Sequence, residues 1–320
     1  MLSSELIKKA AEELGFSACG ICRAEKMEKS YSYYVRKFID EGRNGEMEYL
    51  ARNIDMRLDP AKLVEGTKSI ISVALNYYPA RKMNGEGYTF SYYAYGKDYH
   101  AVVKEKLFEL LRRIRKYGGD KISGRAFCDT APVSERYWAW RAGVGFIGKN
   151  TLLIIPRKGS FFFLGELFIN AEFDKYDEPL QNMCGNCTKC IDVCPGKALY
   201  KPYHIDARKC ISYLTIEKKG ELPPGTAGKM ENCIYGCDRC QSVCPHNRFS
   251  TPTNVGEFAP NEKLLDMKRD EWNSLTEEEY RELFRGSAVK RAKYSGLMRN
   301  INAVNGKEKK ADKISSNGKT

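Results

Sequence analysis

No run of about 18 apolar residues occurs in this 320-residue sequence, so no membrane-spanning helix is expected. The opening stretch, "MLSSELIKKAAEELGFSACG", has neither a long apolar segment nor a twin-arginine pair. It is therefore not read as an export signal. It reads instead as an amphipathic helix with Ser3 or Ser4 as N-cap. Internal repeats are missing too, apart from a doubled cysteine motif, which argues against a solenoid or propeller. A dinucleotide fingerprint is also lacking. Gly143, Gly145 and Gly148 in "GVGFIGKN" have the G-x-G-x-x-G spacing, but they lie between a helix and a strand, the reverse of the required order. Acidic residues are outnumbered, 41 to 53, giving a formal charge of +12. Unless the chain is merely basic, that points to a polyanionic partner, nucleic acid before membrane surface.

Cysteine, by contrast, is plentiful, with twelve in the chain. A secreted disulfide scaffold would account for that number in a much shorter protein. Here nine of the twelve fall between Cys184 and Cys244, in metal-type spacings. A reducing cytoplasm is the expected setting.

Residues 1–178 read as alternating helices and strands around a sheet, an α+β domain or one of α/β type. "SIISVALNYYP" (69–79) is a buried strand ended by proline, and "AVVKEKLFELLRRIRKYGG" (101–119) has helical periodicity. "RAFCDT" (125–130) is a short strand. "TLLIIP" and "SFFFLGELFIN", joined by "RKG", read as a hairpin. Residues 179–250 are cysteine-rich with short connections. Residues 251–306 look helical, with Thr276 and Glu279 matching a capping box. The lysine-rich tail, 307–320, is expected to be disordered.

"MCGNCTKCIDVCPGKAL" carries Cys184, Cys187, Cys190 and Cys194 as C-x2-C-x2-C-x3-C-P, the bacterial ferredoxin run. A second run, "CDRCQSVCP", supplies Cys237, Cys240 and Cys244. In two-cluster ferredoxins the fourth cysteine of each run crosses to the other cluster. Cys184, Cys187, Cys190 and Cys244 would then hold one 4Fe–4S cluster. Cys194, Cys237 and Cys240 would hold three irons of the second. Either Cys210 or Cys233 completes it, and spacing alone leaves the choice open. Zinc sites usually pair two C-x2-C knuckles and do not need this run. Cys19 and Cys22 form a C-x2-C pair without a partner pair and read as buried strand residues. Two clusters make a wire, and the roughly 180 residues ahead of it argue for a second redox centre and a substrate site.

The most unusual stretch without a cluster motif is "CDTAPVSERYWAWRAGVGFIGKNTLLI". Asp129, at a strand end beside apolar residues, has the setting of a desolvated general acid. An Asx-turn or the N-cap of the following helix is the simpler reading. Trp138 and Trp140 read as helix-packing residues.

Together with "MEYLARNIDMRLDPAKLVEGTKSIISVALNYYP", "YYAYGKDYH", "DARKCISYLTIEKKG", "YGCDRCQSVCPHNRF" and "GSAVKRAKYSGLMRNINAVNG", these stretches resemble the epoxyqueuosine reductase family from the N-terminus to about Gly306. The resemblance implies a cobalamin-binding catalytic domain followed by a ferredoxin-like module with two 4Fe–4S clusters. It favours Cys210 over Cys233 as the eighth ligand. It places the family's proposed proton donor on Asp129, and cobalamin contacts on Arg57 of "MRLDP" and on Tyr93 with the segment 96–100. The implied reaction reduces epoxyqueuosine to queuosine at the wobble position of tRNA, using cob(I)alamin fed by the clusters. The tRNA anticodon stem-loop and an external low-potential electron donor are the implied partners, with the chain acting as a monomer. Many family members continue into HEAT-like repeats where this sequence ends, so tRNA contact is expected to rest more on the basic surface. Arg208, Lys209, Lys218, Lys219, Arg239 and Arg248, which flank the clusters, are candidate phosphate contacts. The alternatives are a cobalamin-dependent iron–sulfur reductase of another substrate, like a reductive dehalogenase, and a non-catalytic electron-transfer protein.

Overall fold

The computed structural model describes residues 1–84 and 87–306 in full, and the backbone of the last helix, Lys293–Asn317. The tail expected to be disordered, 307–320, lies outside the residues described in full.

Four strands build the main sheet, in the spatial order Ala18–Arg23, Ser69–Asn76, Phe162–Ile169, Gly124–Phe127. Every neighbouring pair is antiparallel. The mixture of helix and strand is thus of α+β type, and the α/β-like alternative does not hold for this sheet. "SIISVALN" buries seven of its eight residues because both of its faces are covered. On one face Ile71, Val73, Leu75, Leu167 and Ile169 meet Val103, Leu107 and Leu110 of the helix Tyr99–Gly118, with Ile7 and Ala11 of the helix Ser4–Glu13. On the other face Ile70, Ala74 and Phe168 meet Tyr137, Trp138 and Ala139 of the helix Glu135–Arg141. Each such aliphatic or aromatic side chain contributes about 1.5–3 kcal/mol on burial. Trp138 is therefore a packing residue, and Trp140 is tied by Nε1 to Leu180 O at 3.1 Å. Ser3 is the N-cap of the first helix, its Oγ accepting from Leu6 N. Cys19 and Cys22 sit in the edge strand, as read from the sequence, with Cys22 buried but Cys19 only half-buried.

The hairpin expected around "RKG" does not form. Leu153–Ile154 pairs with Phe146–Ile147, whereas Phe162–Ile169 pairs with Ser69–Asn76 and Gly124–Phe127. A single bridge, Ile155 to Gly159, closes the turn. The reason is positional: Phe162–Ile169 is an inner strand with both edges taken by other strands, so no edge is left for its sequence neighbour.

A second core is aromatic and spans the rest of the chain. Phe90, Tyr235, Trp272 and Phe284 pack together, and Thr89–Phe90 pairs in parallel with Cys233–Tyr235. The Thr276–Glu279 capping box is present, opening the helix Glu277–Leu283. That helix stops early, and a 3-10 turn at Ala288–Ala292 leads into the last helix. Leu297, Ile301 and Val304 are fully buried against the same core. Asn300 fixes the helix by donating from Nδ2 to Thr215 O and Ile234 O, both at 2.8 Å. Among the described residues, no helix is long and apolar enough to cross a membrane.

Candidate iron–sulfur and acid sites

The two cysteine runs fold alike. Each places its middle thiols around a single helical turn, Lys189–Asp192 in the first and Arg239–Ser242 in the second, and ends at a proline, Pro195 or Pro245. Cys184, Cys187, Cys190 and Cys244 line one cavity of about 190 Å³, together with Lys149, Asn150 and His246. The last cysteine of the second run thus lies with the first three of the first run. The remaining thiols gather separately. Cys194, Cys210 and Cys240 pack in one apolar cluster with Cys190. Burial pushes the Cys240 thiol well up, with Cys210, Cys237 and Cys194 as the next contributors, in that order. Cys233 is buried in its strand near Cys237, with Sγ donating to Gly236 O at 2.7 Å. Among the described residues, no three His, Cys, Asp or Glu side chains converge on a single-ion site. A cubane spreads four thiolates over four irons and takes a wider set.

The loop "GKN" serves this region, which its sequence did not reveal. Lys149 N–H donates to Cys184 Sγ at 3.5 Å, and its Nζ donates to Gly185 O at 2.6 Å and Cys187 O at 2.9 Å. Asn150 Nδ2 donates to Cys240 O at 3.2 Å. One short loop thus pins both runs.

Asp129 follows the sheet's edge strand and has a left-handed φ of 52°. Its carboxylate is not desolvated as expected, since the side chain is 62% exposed. It is not a helix cap either, because Ser134 occupies that position. What holds it was not legible in the sequence. Tyr99 Oη donates to Asp129 Oδ2 at 2.5 Å, and the Asp129 N–H donates to the Glu135 carboxylate. Burial, reinforced by Asp129, raises the Tyr99 phenol far above its usual pKa, so it stays a donor. Burial and the nearby Asp129 also raise Glu135. Lys104 reaches this loop and donates from Nζ to Thr130 Oγ1 at 2.6 Å. Lys106 likewise turns inward, to Leu14 O at 2.9 Å.

Arg57 lies near this group, with Asp129 and Glu135 both acting on its charge. Its Nη1 donates to Val133 O at 3.1 Å, while its buried Nε has no partner among the described residues. Tyr93 is deeper, its phenol within 3.3 Å of Tyr235 Oη and its ring edge-on to Tyr99. The structure therefore brings Asp129 and Arg57 into one neighbourhood and links Tyr93 to it through Tyr99. Of the six flanking cations, Arg208 is paired with Asp206, Lys218 with Glu46 and Arg239 with Glu231.

Two family models match the chain. One, described as Epoxyqueuosine reductase QueG, DUF1730, covers residues 57–130, and the other, a 4Fe-4S double cluster binding domain, covers residues 183–247. An epoxyqueuosine reductase of Leadbetterella byssophila is 47% identical over 93% of this chain and 97% of its own length. A crystal structure of epoxyqueuosine reductase with a tRNA-Tyr epoxyqueuosine-modified tRNA stem loop superimposes with a TM-score of 0.85 at 32% identity, covering 94% of this chain and 80% of that one. The Bacillus subtilis epoxyqueuosine reductase, solved with an aspartate catalytic loop swung out of the active site, gives 0.84 at 30% identity with coverages of 94% and 80%. Such identity runs through both the acid-bearing half and the cysteine-rich half, in the same order. The chain belongs to the epoxyqueuosine reductase family.

Proposed function

We propose that this chain reduces the epoxide of epoxyqueuosine in a tRNA anticodon loop to the alkene of queuosine, with Asp129 as proton donor. The observation that carries this reading is the presence, in one chain of this family, of two gathered thiol sets and of an acid held at a strand end by Tyr99 and Glu135. In this reading residues 1–178 form the catalytic domain, 179–250 the cluster module and 251–306 a helical segment that closes the second core.

The arrangement suits a general acid. The left-handed backbone at Asp129 costs on the order of 1 kcal/mol, and the Glu135 carboxylate offsets it by taking the N–H. Exposure leaves the carboxyl accessible to a base entering from solvent, while Tyr99 fixes its orientation. Cys184, Cys187, Cys190 and Cys244 would hold one 4Fe–4S cluster, and Cys194, Cys210, Cys237 and Cys240 the other. Arg57 and Tyr93 would hold cobalamin. The unpartnered Arg57 Nε fits that group, whose amide arms and phosphate are hydrogen-bond acceptors. Cobalamin, when bound, supplies the two-electron chemistry at carbon that one-electron centres cannot. The protein's share is to hold the flipped-out base, exclude competing acids and give a proton to the oxygen as the C–O bond weakens.

The test is anaerobic reconstitution with iron, sulfide and cobalamin, then a strong reductant and epoxyqueuosine-containing stem-loop RNA, with the digested nucleosides read by mass spectrometry. Conversion that requires cobalamin is expected. Asp129→Asn should lower kcat by about 10²-fold or more while RNA binding is kept. Bound cobalamin without conversion, in an assay validated on a known enzyme, would defeat the substrate assignment.

A further inference from the structure

Removing an epoxide oxygen as water consumes two electrons and two protons. Both C–O bonds break, one π bond forms, and the oxygen leaves with two hydrogens. Asp129 carries one proton, so a second must reach the same oxygen within each turnover.

The first turn of the helix Tyr99–Gly118 holds a group placed to supply it. Asp98 caps this helix, its Oδ1 accepting the His100 N–H at 3.0 Å. The same oxygen lies 2.5 Å from His100 Nδ1. The opposite ring nitrogen, Nε2, lies 3.9 Å from Asp129 Oδ2. The imidazole is stacked on Tyr99 at 4.1 Å, and Tyr99 lies flat on Phe163 at 4.2 Å. His100 holds the Asp98 carboxyl below its usual range, so Asp98 stays ionised and keeps the hydrogen on Nδ1. That leaves Nε2 as the nitrogen that exchanges protons, on a side chain still 29% exposed to water.

We propose that Asp98, His100 and Asp129 form a proton relay in which His100 Nε2 reloads Asp129 between the two C–O cleavages. This rests on the reduction proposed above. In the first cleavage the Asp129 proton goes to the ring oxygen and leaves a hydroxyl. The imidazolium Nε2–H then passes its proton to the Asp129 carboxylate. In the second cleavage that proton leaves with the hydroxyl as water while the double bond forms. Solvent then reprotonates the imidazole, which passes that proton to Asp129 and takes a second from solvent before the next turnover, and the two electrons come from the reductant of the established family reaction. The 3.9 Å gap closes by rotation of an exposed carboxylate or through one water, as is usual for proton-transfer pairs without substrate. His100 acts through Asp129 and so is a positioning and relay residue.

Two measurements test the relay. The chain has three histidines, His100, His204 and His246, so a ¹⁵N-histidine-labelled enzyme gives a simple spectrum that His100→Gln assigns. The hydrogen-bonded Nδ1–H signal should disappear in Asp98→Ala, which removes the acceptor, and the Nε2 resonance should move in Asp129→Asn. An Nε2 resonance unmoved in Asp129→Asn overturns the relay, with no turnover required. In the stem-loop assay, His100→Gln should lower kcat on the order of 10²-fold, leave KM for RNA unchanged and enlarge the solvent deuterium isotope effect. An unchanged kcat and isotope effect also overturns it. Wild-type conversion in the same assay reports on the reduction itself, so failure of the reaction and failure of the relay give different results.

Discussion

Glu166 lies in the middle of an apolar sheet, fully buried, with Ser72 Oγ donating to Oε1 at 3.2 Å and Oε2 without a partner among the described residues. An ionised carboxylate there would cost several kcal/mol. Burial, then the nearby Glu135, raises its pKa well above the usual range, so the folded protein keeps it protonated. The unfolded chain releases that proton near pH 4.3. Between that pH and the higher folded value, the folded state binds more protons, so Glu166 costs stability as pH rises. Glu166→Gln keeps the shape but cannot ionise. Its melting temperature should gain on wild type steadily from pH 5 to pH 8, and a constant difference would show that Glu166 is not the titrating group. Glu135 acts differently, through the Asp129 backbone. Glu135→Ala removes the acceptor and should cost about 10-fold in kcat with RNA binding intact, while Glu135→Gln, whose amide oxygen still accepts, should cost less. Equal losses would place the effect in the charge and not in the hydrogen bond.

The elements around the cysteines depend on one close approach. A Cβ on Gly196 would lie 1.9 Å from Lys209 O, so only glycine lets the loop after Cys194 touch the turn before Cys210. Gly196→Ala should push those two thiols apart and reduce iron from about eight to about four per chain, since the first set does not use either residue. Gly256→Ala, with open space at the same test, is the control and should keep all eight. Retention of eight irons in Gly196→Ala would mean that the loops absorb the shift. This region also marks how far the sequence could be read. The ferredoxin runs were legible because their ligands are local, and spacing in the chain is spacing in the site. The choice between Cys210 and Cys233 was not, because the two sit on separate elements and the packing of the 3-10 turn Ala207–Lys209 against Gly196 is what brings Cys210 beside Cys194. The hairpin failed for the same reason: "SFFFLGELFIN" was correctly seen as a strand, but its partners lie about 40 and 90 residues away. Asp129 was legible as a strand-end residue. Its partners Tyr99 and Glu135 were not, since they come from the starts of two helices on opposite faces of the sheet.

At the scale of the molecule, the last helix, the strand Cys233–Tyr235 just ahead of the second cysteine run and the early strand Thr89–Phe90 share one aromatic core. The cysteine-rich segment is therefore built into the protein on both sides. The excess charge of +12 belongs to this whole surface. Only part of it is free to meet phosphates, because Arg208, Lys218 and Arg239 already serve neighbouring carboxylates. Lys209 and Arg248 are exposed near the clusters, Arg248 stacked over Phe249 at 4.6 Å. If about five phosphates of a single-stranded loop are neutralised, raising salt from about 50 to 200 mM should weaken stem-loop binding by about 10²-fold. Lys209→Glu and Arg248→Glu should each flatten the plot of log Kd against log salt by about one. Arg239→Glu should instead damage the fold locally, because its guanidinium also donates to Lys229 O and Met230 O. Anisotropy titrations of labelled RNA at four salt concentrations measure all three. A slope near zero in the wild type would assign recognition to the extruded base and its pocket, and leave the positive surface without a part in RNA binding.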